Sequence, residues 1–391
     1  MQKSHRNLIG GLTVLLLLIT GCDQAALTVP ATLPETDVPT LAPTLTATPT
    51  TIPTPAIQVY GPEEYPTGMN PLTGLIVDNP TLLDRCPMVV KVSNYPRSGR
   101  PHAGLSQADL VFDYYIGEGM NRFAAVYYGR DAIKVGPVRS ARLVDGQLAE
   151  MYQGILAFKG AWYKVNEYIY SNLKKRAISG SPSTCPGICD TGNETVISMF
   201  ADTAALSQYT IEKGICDTAR PDLAGMVFTL ELPKDGRPAP DLSVIFSYYN
   251  RAEWHYDATN GVYLRWIETV SGEEGQEIIE MVPLTDANTG IQLAFENVAI
   301  LFTKHDMYAD TYFDLQLASN TNGARLVLLR DGKAFDGVWK SAGDSQPLQF
   351  FTPEGEFLGF KPGKTWMILV GSKSTLTTPA NAMWVLDNML P

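Results

Sequence analysis

The segment Gly136-Pro137-Val138-Arg139-Ser140-Ala141-Arg142 carries two guanidinium groups three residues apart, with Lys134 just ahead of its Gly-Pro pair. Glycine tolerates any φ and proline fixes its own, so this pair sets a turn after the apolar run 123–128. If the chain turns helical beyond Pro137, Arg139 and Arg142 share one face and the first backbone N–H groups point the same way. Such an arrangement suits an anion. Arg139 and Arg142 supply bidentate contacts, Ser140 lies between them, and Arg122 and Asn94 stand at the rim. The competing reading is internal: both arginines pair with the protein's own carboxylates. The sequence leaves both readings open.

Paired acids offer a second chemistry. Asp109 and Asp113 lie four apart on an expected strand, hence on one face, with Glu118 at the turn beyond. A cell-wall glycan hydrolase using Asp113 and Glu118 needs its carboxyl groups about 5 to 10 Å apart. Pairing of these acids with Arg122, Arg139 or Arg142 is the stronger expectation. His102, His255 and His305 show no metal-ligand spacing, and neither a nucleophile elbow nor a P-loop occurs, so no metal or cofactor is expected. Ser171-Asn172-Leu173-Lys174 matches Ser-x-x-Lys, but its Ser-Asp-Asn and Lys-Thr-Gly partners are absent. Binding is therefore favoured over catalysis.

The address is written at the N-terminus. Lys3 and Arg6 precede the apolar stretch 8–19, which is too short to span a bilayer and ends in Ile19-Thr20-Gly21-Cys22. This ending resembles the bacterial lipoprotein box, which implies a lipidated Cys22 and an extracytoplasmic protein anchored to the bacterial cell membrane. Residues 23–58 form a Thr/Pro-rich tether that extends at roughly 3 Å per residue. Its threonines permit O-glycosylation. Cys86, Cys185, Cys189 and Cys216 remain, an even number for an oxidising compartment, with three pairings open and at least one structural bridge expected.

The elements that must position these residues follow from composition and pattern. With 391 residues, 45% of them apolar, the chain holds two cored domains beyond the tether. A net charge of −11 excludes a general nucleic-acid binder, yet residues 81–142 carry nine Lys and Arg against five Asp and Glu. Strand-like runs at 88–92, 110–116, 123–128 and 155–158 alternate with helical stretches at 143–152, 162–176 and 194–206. That pattern predicts an N-terminal mixed α/β layered domain over 59–225. From 226 to 391 short alternating strands predict a mostly antiparallel β-rich domain, with a hairpin at Asp257-Ala258-Thr259-Asn260-Gly261. The whole is of the α+β class.

Certain motifs carry a family resemblance over most of the folded part. They are Asn70-Pro71-Leu72-Thr73-Gly74-Leu75, Arg100-Pro101 with Gly104-Leu105-Ser106-Gln107-Ala108-Asp109, and Gly136-Pro137-Val138-Arg139-Ser140-Ala141-Arg142. In the second half they are Arg330-Asp331-Gly332-Lys333, Gly337-Val338-Trp339-Lys340 and Pro362-Gly363-Lys364-Thr365-Trp366. Together they resemble the YerB-like bacterial lipoproteins, a family with paired domains of unknown function. The resemblance implies an exported, lipid-anchored two-domain protein and no established reaction. The chain departs from the pattern at Asp113 and Met120, where the family tends to have Glu and Gly. Candidate partners are the membrane through the anchor, a cell-wall or anionic glycan ligand, and an envelope protein for which the chain acts as a scaffold.

Overall fold

Apolar residues that run on without alternation mark strands buried on both faces, and those of 88–93 and 110–117 lie at the centre of the computed structural model. It describes residues 58–192, 196–216, 220–272, 276–310, 312–379 and 383–390, so the signal stretch, Cys22 and the tether through residue 57 lie outside it. The first half supplies β1 (Met88–Ser93), β2 (Leu110–Gly117), β3 (Met120–Tyr127), β4 (Ile155–Phe158) and β5 (Ala177–Ser179). The second supplies β6 (Asn297–Thr303), β7 (Ala324–Arg330), β8 (Lys333–Ser341) and β9 (Thr365–Gly371).

These nine strands belong to one sheet of 11, in which β8, β7, β6, β9, β2, β3, β1, β4 and β5 lie side by side in that order. The halves are joined where β9 runs parallel to β2, from Thr365 beside Leu110 to Leu369 beside Tyr114. A second sheet is built from Asp241–Ser247, Asn250–Asp257, Val262–Ser271, Ile278–Pro283 and shorter strands, including Trp384–Asp387. Its first strand alternates buried Leu242, Val244 and Phe246 with half-buried residues, as a strand with one covered face must. The expected Asp257-to-Gly261 turn joins two of its strands, with Gly261 at φ +68°. Val90, Val92, Phe123 and Trp366 of the large sheet share a core with Trp254 and Phe295 of the small-sheet half. On its other face Val89, Phe112 and Leu156 pack with Val144, Leu148 and Ile169 of the helices α1 (Leu143–Met151) and α2 (Tyr163–Leu173).

The chain is thus mostly strand, with three α-helices among the described residues, the third being α3 (Thr203–Glu212). Of the helix expected over 194–206, residues 194 and 195 lie outside the described residues, Met199–Ala201 is a strand, and only 203–206 is helical, as the start of α3. Asp202 caps the helix that follows by accepting from the Ala205 N–H at 2.9 Å, so α3 starts one residue later.

Buried polar groups bolt the halves together. Asp113 on β2 accepts from Arg265 NH2 at 3.1 Å, from Trp366 Nε1 at 3.3 Å and from Asn121. The Arg265 guanidinium lies 4.2 Å from the Trp366 ring centre and 5.0 Å from that of Trp254. Buried Glu268 accepts from Tyr95 at 2.7 Å and from Arg100 at 3.0 Å. Asp286 accepts from the backbone N–H groups of Gly104 and Ser106 at 3.0 and 2.8 Å.

Two disulfides form, Cys86–Cys216 and Cys185–Cys189. The first closes a loop spanning 130 residues, so its loss releases considerable chain entropy into the unfolded state. Substituting both Cys86 and Cys216 with serine is expected to lower the unfolding free energy by about 4 to 5 kcal/mol, read from urea denaturation. The four-residue separation of Cys185 and Cys189 predicts a smaller loss.

Candidate functional site

Residues 135–142 are extended, not helical, and α1 begins at Leu143 with Arg142 as its N-cap. The segment instead lines the carboxyl end of β1: Ser93 N–H donates to Pro137 O and Arg139 N–H to Lys91 O, both at 2.9 Å. It also reaches the end of β4, where Lys159 N–H donates to Arg139 O at 3.0 Å and Ala141 N–H to Gly160 O at 3.0 Å. The helix-start N–H of Arg142 is consumed by Asp145 Oδ2 at 2.6 Å. The arginines are therefore brought together by strand ends and a cap rather than by helical periodicity.

Beneath them lies a set of groups on one face of the sheet. Tyr114 and Arg122 are directly opposite one another on β2 and β3, so their side chains project to the same side, and Arg122 donates to Ser140 O. Lys91 on β1 sits 3.2 Å from Asp145 and also donates to Tyr114, whose hydroxyl donates to Asp145. Arg139, Ser140 and Arg142 are half-buried at the surface. Arg142 stacks over the Tyr312 ring at 4.8 Å and donates to Ala141 O at 3.2 Å. Asp145 is ion-paired with Lys91, and among the described residues no ion pair reaches Arg122, Arg139 or Arg142.

The electrostatics record that imbalance. Burial brings Arg122 down to about 10, and the neighbouring Arg142 and Arg139 add to the fall. Arg139 is lowered by burial and by Arg142. Burial takes Lys91 down to about 7, against the pull of Asp145 and with the push of Arg122 and Arg142. The sign of the linkage follows. Between about pH 7 and pH 10.5 the unfolded chain holds a Lys91 proton that the folded chain has released, so stability rises with pH across that window. Below about 7 the full penalty stays, and above 10.5 it vanishes. Lys91→Met is expected to shrink this rise, measured as the melting temperature at stepped pH.

The other expected site residues fall elsewhere. Asn94 is buried and donates to Asn121 at 2.6 Å, so it backs the Asp113 network and is not at the rim. Asp113 projects to the opposite face from Tyr114, fully buried and engaged by Arg265, Trp366 and Asn121. Burial pushes its carboxyl upward. Glu118 is exposed on the turn. The two acids are not brought together as a hydrolase pair, because the strand pleat turns Asp113 inward. Asp109 accepts from Asn70 at 3.0 Å and from the N–H groups of Tyr128 and Gly129, which is a structural duty. Lys91, Tyr114, Asp145 and Tyr312 were not in the expected set. Lys91 alone had a signal, a lone charge inside the apolar run Met88-Val89-Val90-Lys91-Val92.

Two β-rich halves fused through one sheet define the class of fold. The chain matches the family described as protein of unknown function (DUF3048), its N-terminal domain over residues 72–215 and its C-terminal domain over 242–367. The chain belongs to that family. It is similar to YerB of Bacillus subtilis, named as a candidate lipoprotein, with 26% identity over 311 residues covering 77% of this chain and 85% of YerB. A crystal structure of YerB protein from Bacillus subtilis superposes with a TM-score of 0.61 at 24% identity, over 77% of this chain and 96% of that one. That likeness speaks to the fold alone.

Proposed function

We propose that this is a non-catalytic envelope protein, held outside the cell by lipid on Cys22, whose first half binds an anionic cell-surface ligand at Arg122, Arg139 and Arg142. The observation that carries the reading is the absence, among the described residues, of any ion pair to three clustered arginines. Mutual repulsion and burial oppose such a cluster, and an arriving anion relieves both. The anchor reading rests on Ile19-Thr20-Gly21-Cys22 and on the name of the similar Bacillus protein. The boundaries 59–225 and 226–391 are read here as a layered α/β lobe that presents the site and a β-rich lobe that frames it.

Other family-like motifs have structural work. Asn70 donates to Asp109, Gly363 N–H donates to Thr73 O at 2.8 Å, and Lys364 donates to Ser106 O at 3.2 Å, so three motifs interlock at the junction of the halves. Arg330 donates to Asp331 and to the carbonyls of Thr229 and Gly359. The arginines of the Gly136-to-Arg142 motif are left over from this stitching. Calorimetric titration of the full chain in detergent with inorganic phosphate tests the reading. Saturable binding is expected at low ionic strength, weakening as salt rises from about 0.01 to 0.15 M and the screening length falls from about 30 to 8 Å. No heat at low salt would refute it.

A further inference from the structure

We propose that the guest is an acidic sugar, its anion on Arg139 and Arg142 and its ring against an aromatic shelf made by Trp162, Tyr308 and Tyr312. This inference rests on the anion-site reading above and names the chemistry of its ligand. The shelf joins both halves. Trp162 is the N-cap of α2, three residues beyond the Lys159 that hydrogen-bonds Arg139. Tyr308 and Tyr312 lie on the hairpin Asp306–Ala309 and Tyr312–Asp314 of the second half. Gln147 on α1 pins that hairpin, donating to Asp314 Oδ1 at 2.8 Å and accepting from Leu317 N–H at 3.2 Å. The Trp162 ring centre lies 5.2 Å from that of Tyr312 and 6.0 Å from that of Tyr308. All three rings are half-buried, and Tyr163, edge-on to Trp162 at 5.0 Å, is 65% exposed.

An aromatic group next to unpaired guanidinium groups serves a ligand that is apolar on one face and charged at one end. A sugar ring offers a C–H face to the negative faces of aromatic rings, and its phosphate or carboxylate is a natural partner for bidentate arginine. Polar atoms near the shelf are left without partners among the described residues. Tyr308 Oη, Asn166 Oδ1, Arg139 Nε and Arg142 Nε are buried without a hydrogen-bond partner among the described residues. Asn166 lies one helical turn along from Trp162, its amide nitrogen donating to Ala161 O at 3.0 Å. The Trp162 ring is tilted by 33° and 31° to those of Tyr312 and Tyr308, so the three rings do not form the flat parallel slot a nucleobase prefers.

Titrations of the full chain in detergent with inorganic phosphate, glucose 6-phosphate and adenosine monophosphate test this. Glucose 6-phosphate is expected to bind about three- to tenfold tighter than inorganic phosphate, the factor one aromatic contact supplies, and tighter than the nucleotide. Tyr312→Leu and Trp162→Leu are each expected to bring the ratio of sugar phosphate to phosphate toward one. Equal affinity of the unaltered chain for phosphate and sugar phosphate overturns the sugar assignment and leaves the anion site standing. The same holds if the nucleotide binds best. A ratio unchanged in both variants overturns the shelf, and no binding of any probe overturns the site itself. The comparison of the three probes on the unaltered chain requires no variant to fold.

Discussion

Replacing Arg139 and Arg142 together with alanine is expected to abolish the proposed anion binding and to leave the melting temperature nearly where it was. Each charge-assisted hydrogen bond is worth about 1.5–3 kcal/mol, so loss of two weakens phosphate binding by roughly 10² to 10⁴. Stability is nearly untouched because no ion pair breaks: the charged neighbours lowering Arg139 and Arg122 are other arginines. What is lost is the stacking of Arg142 on Tyr312, about 0.5–1 kcal/mol at a partly exposed site, and its hydrogen bond to Ala141 O, against which relief of repulsion counts. Calorimetric titration and thermal melts of the same preparation check both halves of this expectation. A variant that melts well below the parent marks the arginines as structural, and one that still takes up phosphate removes them from the site.

The largest stability effect of a single substitution is expected at Arg265. Its truncation to alanine leaves the Asp113 carboxylate buried without its counter-charge and empties the space between Trp254 and Trp366, at a cost of about 3–5 kcal/mol. Asp113→Ala strands the guanidinium and is expected to cost a similar amount. Replacing both, Arg265→Met with Asp113→Leu, is expected to recover part of the loss, because an apolar pair owes no desolvation while Trp366 Nε1 and Asn121 lose their acceptor. Urea midpoints of the three variants settle the matter. A single-site loss under about 1 kcal/mol would show that the two sheets hold without this pair.

The contrast between these two sites explains what the sequence disclosed. Strands 88–92, 155–158 and the 257–261 hairpin were legible because apolar runs and Asn-Gly chemistry act locally. The grouping of Arg139 with Arg142 was legible for a different reason than spacing on a helix: residues three apart on an extended segment are gathered by β1, β4 and the cap of α1. Asn94 and Asp113 were misplaced because strand side chains alternate in facing, and the sequence alone does not tell which side of β2 meets the second sheet. Lys91 beneath Arg122 and Tyr312 over Arg142 depend on contacts across strands and between halves, up to 170 positions apart, which no local pattern encodes. Likewise the break near 225 is a change of texture along the chain, while β9 pairs with β2 straight across it.

That backbone pairing of β2 with β9 has a kinetic consequence. A receptor whose lobes swing on a hinge closes over its guest and pays for the motion, whereas lobes stitched into a single ladder have no such swing. A guest at the arginines meets a surface already in shape, so little ordering opposes its capture and no gate slows its departure. Exchange at the proposed site is expected to be quick, and if the chain is anchored as proposed, retention on a polymer carrying many negative groups would come from repeated rebinding by neighbouring copies rather than from a long single stay.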